Sequence, residues 1–240
     1  GTLPKEIAFL TSLRLLYLYD NQITGVLPIE IVNLTSLIGI QAYSNQLNGK
    51  LPTEIGFLKG LTELVLFDNQ LTGVLPTEIG FLTSLTKLSL FDNNLTGVIP
   101  TEIGHLTSLI KFESYSNHFN GTLPTEIGFL TSLTSLYLND IQLTGVIPTE
   151  IGNLKNIVDF QAITNNFNGT LPTEIGFLTN LTLLYLFENQ LTGTIPSEVS
   201  NLTNLIELVA VINKFNGTLP TEIGFLTSLM LLFLFDNQLT

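Results

Sequence analysis

Residues 73–96 read GVLPTEIGFLTSLTKLSLFDNNLT, and residues 169–192 return as GTLPTEIGFLTNLTLLYLFENQLT. Dividing the chain before Gly1, Gly25, Gly49, Gly73, Gly97, Gly121, Gly145, Gly169, Gly193 and Gly217 gives ten units of 24 residues. There is no insertion or deletion, so one repeat accounts for the whole chain. Positions 13, 16 and 18 of the unit carry an L-x-x-L-x-L pattern, as at Leu85, Leu88 and Leu90. Apolar residues two apart at positions 16 and 18 have the period of a strand with one face inward. Asn follows at position 21 in nine of ten units, for example Asn69 and Asn93. A buried Asn there predicts a ladder of side chains bonding the turning backbone of successive layers. Gly at position 1 lets the chain turn where a side chain would clash. Pro at position 4 and Glu at position 6 predict the first turn of a short helical segment. Apolar positions 7 and 10 then face the interior.

These residues resemble the plant-type, extracellular leucine-rich-repeat family. Its motif, L-x-x-L-x-L-x-x-N-x-L-x-G-x-I-P-x-x-I/L-x-x-L, is met by Leu85 to Leu90, Asn93, Leu95, Gly97, Ile99, Pro100, Ile103 and Leu106. The resemblance covers all 240 residues. It implies an α/β repeat solenoid, a right-handed superhelix with a parallel β-sheet on its concave face. Short 3-10 and loop segments would line the convex face, with layers about 4.8 Å apart. It says little about function, because such scaffolds host many binding roles. Three departures stand out. Ile141 replaces the ladder Asn, so the ladder is expected to break in the sixth repeat. Small residues Ala42, Ser114, Ala162 and Ala210 occupy position 18, and three of those repeats place Phe119, Phe167 and Phe215 at position 23. Those rings are expected to restore core volume. The Cys-bearing caps of the family are missing, and neither end of the 1–240 array reads as a cap.

Composition narrows the function classes. The net charge is −12 with only eight Lys and Arg, which leaves no basic patch for nucleic acid or an anionic membrane. The longest apolar run, Leu229 to Phe235, is too short to span a bilayer. With no Cys, disulfides give no clue to redox compartment. Nothing points to a cofactor or metal. His105 and His118 fall on different sides of the unit, and no nucleophile, base and orienting group can be assembled into a catalytic site. The ten Glu of position 6 form a like-charge ladder that is read as first-turn electrostatics, since one carboxylate per layer falls short of a calcium site.

The candidate sites are surfaces. Position 19 reads Tyr19, Tyr43, Phe67, Phe91, Tyr115, Asn139, Ile163, Phe187, Val211 and Phe235, and position 17 adds Tyr17, Tyr137, Tyr185 and Phe233. The aromatic members predict an exposed concave stripe, and such a stripe marks an interface. Asp20, Asp68, Asp92, Asp140, Glu188 and Asp236 flank it at position 20. On the outer side, position 9 carries Phe9, Phe57, Phe81, Phe129, Phe177 and Phe225 in one repeat type and Asn or His in the other. N-x-S/T sequons occur at Asn33, Asn94, Asn120, Asn168, Asn180, Asn201 and Asn216, predicting N-glycans and an extracellular location. Asn120, Asn168 and Asn216 recur every 48 residues, which predicts a row of glycans on one flank.

The expected function is a non-catalytic secreted scaffold. In the leading expectation, uncapped ends stack head to tail on other copies of the chain and build an extracellular fibre or coat. In the alternative, the array is the ligand-binding ectodomain of a receptor or inhibitor, holding a protein or glycan on its concave face. A minor alternative is ice binding, from the regular Thr rows at positions 5 and 11.

Overall fold

The computed structural model describes residues 1–240. Each repeat makes one turn of a right-handed solenoid. Its concave strand is three residues long, as in Glu63–Val65 and Lys87–Ser89. Ten such strands form one parallel sheet running through the repeats in chain order. Equal repeat length puts like positions side by side, so Glu63 pairs with Lys87 and Lys87 with Lys111. A substitution at one position therefore meets the same position of its two neighbours, and rows of side chains result.

The convex side of every repeat is a five-residue 3-10 segment, such as Thr77–Phe81, and no repeat contains an α-helix. Pro4 and its equivalents sit just before this segment in extended conformation, as at Pro76 with φ −68° and ψ 145°. The ring lacks an N–H and holds φ, so it closes the incoming strand and offers its carbonyl to the turn: Ile79 N–H donates to Pro76 O at 3.0 Å. Position 8 is usually Gly because adjacent 3-10 turns touch there. A Cβ on Gly80 would lie 2.6 Å from the Glu102 carbonyl oxygen.

The core is a single cluster of 58 buried residues that passes through the layers, built mainly from positions 3, 7, 10, 13, 16, 18 and 23. Where position 18 shrinks, large rings fill the space: Phe112, Phe119, Phe160, Phe167 and Phe215 are fully buried. The expected volume compensation is therefore present, with Phe112 and Phe160 at position 16 adding to it.

The Asn ladder forms as the pattern predicts. Asn69 accepts the Leu47 N–H at 2.9 Å and donates to the carbonyl oxygens of Ala42, Leu66 and Phe67 at 2.9, 3.2 and 3.2 Å. It breaks at the sixth repeat, where Ile141 is fully buried among apolar side chains. Gln142 there has φ 59°, a left-handed conformation that no other position-22 residue adopts.

The structure adds a second parallel sheet on the flank, after the turn that leaves the concave face. Strands such as Gln70–Val74 and Asn166–Thr170 pair from repeat to repeat. This layer divides into two five-stranded sheets, repeats 1–5 and repeats 6–10. A single Thr122–Thr144 bridge joins them across the broken ladder.

Candidate binding face

Strand alternation directs positions 15, 17 and 19 of each repeat to the concave side, while 16 and 18 enter the core. In repeat 3, Leu64 and Leu66 are buried and Glu63 and Phe67 are half-buried, as this requires. The expected aromatic stripe is real in the first five repeats only. Tyr19, Tyr43, Phe67, Phe91 and Tyr115 stack face to face, with ring centroids 4.7, 4.4, 4.2 and 4.3 Å apart. Tyr17 tilts against Tyr19 at 6.3 Å. Because the ring faces cover one another, only their edges meet solvent.

The single continuous stripe does not form. Asn139 and Ile163 interrupt it, Phe187 stands alone half-buried, and Val211 is buried. Phe233 and Phe235 pair at the far end, 6.0 Å apart and exposed. The cause is local: Asn139 donates to Gln161 Oε1 at 3.1 Å and accepts the Ile163 N–H at 3.0 Å, which substitutes a polar bridge for a ring.

Tyr137 and Tyr185 serve a different arrangement from the stack. The Tyr137 hydroxyl donates to Asp159 Oδ2 at 2.7 Å, and the Tyr185 hydroxyl donates to Glu207. Gln41 Nε2 donates to Glu63 Oε2 at 2.8 Å in the same relation, position 17 to position 15 of the next repeat. Lys111 pairs with Glu113 at 2.9 Å and lies 5.4 Å over the Tyr137 ring. Burial first, and the Asp159 hydrogen bond next, push the Tyr137 phenol up to about 12. The Glu207 hydrogen bond, followed by burial, pushes Tyr185 up to about 12. Burial, with the charges of Glu113 and Asp92, does the same to Tyr115.

The sequence pattern did not single out Glu63, Lys87, Lys111, Glu113, Asp159 or Glu207. The signal was available: position 15 is charged in five of ten repeats although charged residues make up 12% of the chain. The flanking acids of position 20 are exposed, and each adopts a left-handed backbone, Asp20 to Asp236 with φ between 51° and 59°. Short polar side chains tolerate that conformation, so the turn explains their recurrence without a ligand.

The remaining surface residues fall in three places. The position-9 rings are exposed on the convex side, from 54% at Phe81 to 81% at Phe9, and Lys155 Nζ sits 4.2 Å over the Phe177 ring. Position-5 hydroxyls bond the adjacent Glu, as Thr53 does to Glu54 at 3.1 Å, so half of the Thr pattern is engaged within the protein. All seven sequon asparagines are exposed. Asn33, Asn201 and Asn180 lie on the convex side, and Asn94, Asn120, Asn168 and Asn216 on the flank. His105 ends a convex 3-10 segment, while His118 lies on a flank strand.

Stacked 24-residue layers, an Asn ladder and a row-patterned concave sheet define a leucine-rich-repeat solenoid. The Leucine Rich Repeat family profile matches residues 12–34, 60–82, 84–106, 132–154 and 180–202, and the chain belongs to this family, with the plant-type repeat. No curated protein sequence matches the chain. Among solved structures it is similar to a TDR receptor, at 32% identity and TM-score 0.96, over 100% of this chain and 41% of that one. The Arabidopsis receptor kinase HAESA, in complex with the peptide hormone IDA and the co-receptor SERK1, shows 32% identity and TM-score 0.92 over 100% and 40%. The Leptospira interrogans LRR protein LIC12759 shows 41% identity and TM-score 0.82 over 99% and 58%. A plant ice-binding protein shows 28% identity and TM-score 0.80 over 93% and 72%. The chain thus spans about two fifths of the length of the matched receptor chains. No helix is long and apolar enough to cross a membrane.

Proposed function

We infer that the ten repeats act as one extracellular recognition domain whose concave face binds an extended peptide or a segment of a partner protein, without catalysis. The observation that carries this is the concave row pattern: half-buried aromatics beside paired carboxylates, amides and ammonium groups. Such a surface combines rigid apolar contact with fixed polar positions. The likeness to receptor chains, one of them solved with a peptide hormone, supports the same reading. The fibre expected from the sequence receives less support. The half-buried end layers, with Leu3 and Ile7 at one end and Leu234 and Leu239 at the other, are what any stretch of a longer array would expose. The seven exposed sequon asparagines favour N-glycans in the secretory pathway, on the convex side and flank and clear of the concave rows.

The test is to pan a library of displayed linear peptides against the chain. Selected peptides should lose binding to a Tyr137→Ala/Tyr185→Ala variant and keep it with the convex Phe129→Ala variant. Binders that ignore the concave substitutions, or a library that yields none, would overturn the reading.

A further inference from the structure

Lys87 and Lys111 occupy position 15 on neighbouring concave strands, in direct register. They are two of only eight basic residues in a chain of net charge −12. Like charges directly opposite one another weaken a sheet, so fold stability does not account for the pair. Glu113 relieves Lys111 at 2.9 Å. Lys87 has no ion pair, and Glu63, its neighbour on the other side, is held by Gln41 at 2.8 Å.

Ser89 lies two residues along the same strand and on the same face as Lys87. It is fully buried, and its Oγ has no hydrogen-bond partner. A buried hydroxyl left unpaired is costly and calls for an explanation. Other repeats put Gln41, Glu113 or Tyr137 at this position, whereas Val65 and Ser89 are short. They stand between the charged row and the ring stack on the concave strands.

We propose that Lys87, Lys111 and Ser89 form an oxyanion subsite that takes a carboxylate, sulfate or phosphate group carried by the ligand. This rests on the concave face being the ligand face. The anion gives Lys87 its missing counter-charge, shares Lys111 with Glu113, and accepts a hydrogen bond from the Ser89 hydroxyl. Lys87 and Lys111 are the only basic residues at the concave positions 15, 17 and 19, so an anion finds no other counter-charge along these rows. The anion is therefore held at repeats 4 and 5, which sets the register and direction of an extended ligand.

The experiment is an NMR titration of the whole chain, with lysine side chains isotope-labelled, against sulfate, phosphate and acetate at constant ionic strength. Lys87 and Lys111 should show saturable shifts while Lys50 and Lys59 do not. Loss of a hydrogen bond to a charged group corresponds to roughly tenfold in affinity, so Lys87→Met should weaken binding by about that factor. Ser89→Ala should weaken it several-fold while leaving thermal stability unchanged or raised, because each change removes an uncompensated group. The preferred anion identifies which of the three groups the ligand carries. Shifts at Lys87 and Lys111 no larger than at Lys50 and Lys59 with all three anions overturn the proposal, as does wild-type affinity in Lys87→Met. Peptide binding at the concave face without any anion response would sink this inference and leave the recognition role standing.

Discussion

At the residue scale, one Asn per layer closes more backbone than its size suggests. Asn69 satisfies an amide of the preceding repeat and shares its own N–H groups among three carbonyls. Removing a buried partner leaves these groups unpaired, which costs about 1–3 kcal/mol. Asn69→Ala should thus lower stability by about 2–3 kcal/mol, whereas Asn21→Ala should cost well under about 1 kcal/mol. Asn21 is exposed and bonds only carbonyls of its own repeat. Equal losses for the two variants in denaturant unfolding would contradict the ladder argument. Position 20 supplies the opposite case. Ile212 holds φ 52°, where a β-branched side chain is strained and Asp is the usual residue. Ile212→Asp should raise stability by about 1 kcal/mol, read as an increase in the unfolding midpoint. These two positions also show how legible single residues were. The ladder Asn could be read because nine repeats share it. The position-20 acids could be read only as a flank of the aromatic stripe, and the dihedral angles show that they occupy a left-handed turn, which Ser44, Ser116, Thr164 and Ile212 share.

Among the elements, the flank sheet and the concave rows behave differently from their sequence outline. The flank strands were not foreseen, although Gln70, Leu71 and Thr72 alternate polar and apolar in strand fashion. They are short and follow a left-handed residue, so the alternation spans too few residues to stand out. The interruption at Ile141 was foreseen, and its consequence for this sheet was not. Phe119 occupies the place whose N–H is bonded by an Asn side chain at Leu47, Leu71 and Leu95, and Ile141 offers it no acceptor. Native-state hydrogen exchange should accordingly be faster at the Phe119 amide than at the Leu71 and Leu95 amides. Equal protection would mean that the seam is closed in solution. On the concave strands, Tyr115, Tyr137 and Tyr185 are raised to about 12 against an ordinary 10.0. Between those values the folded chain keeps protons that the unfolded chain loses. Their stabilising contribution is therefore intact below about pH 10 and disappears as pH rises through about 12. Burial raises Tyr43 as well, so phenolate absorbance should show four of the six tyrosines ionising late. Glu207→Gln should bring Tyr185 down further than Asp159→Asn brings down Tyr137, since the carboxylate leads for the former and burial for the latter.

For the whole molecule, each layer touches only its neighbours, so stability is close to a sum of repeats and interfaces. The concave sheet and core run through all ten repeats, while the flank sheet divides after the fifth. Phe160 is fully buried in repeat 7. Phe160→Ala should cost about 3–5 kcal/mol, with exchange protection falling mainly in repeats 6–10. Uniform loss across all ten repeats would show that the seam does not separate two cooperative units. The same seam divides the candidate surface: a ring stack lies on repeats 1–5, and tyrosine–carboxylate pairs lie on later repeats.

A fixed 24-residue period was enough to establish the solenoid, the facing of its strands and the identity of its core positions. Layers of equal length must stack in register, and position 16 is apolar and position 18 apolar or small in every repeat, which fixes the face turned inward. Which concave side chains meet was decided by the tertiary structure, because those contacts join residues 22 to 24 apart on neighbouring strands. At that distance one Asn in place of a ring, or one Ile in place of an Asn, turns a continuous row into two separate surfaces.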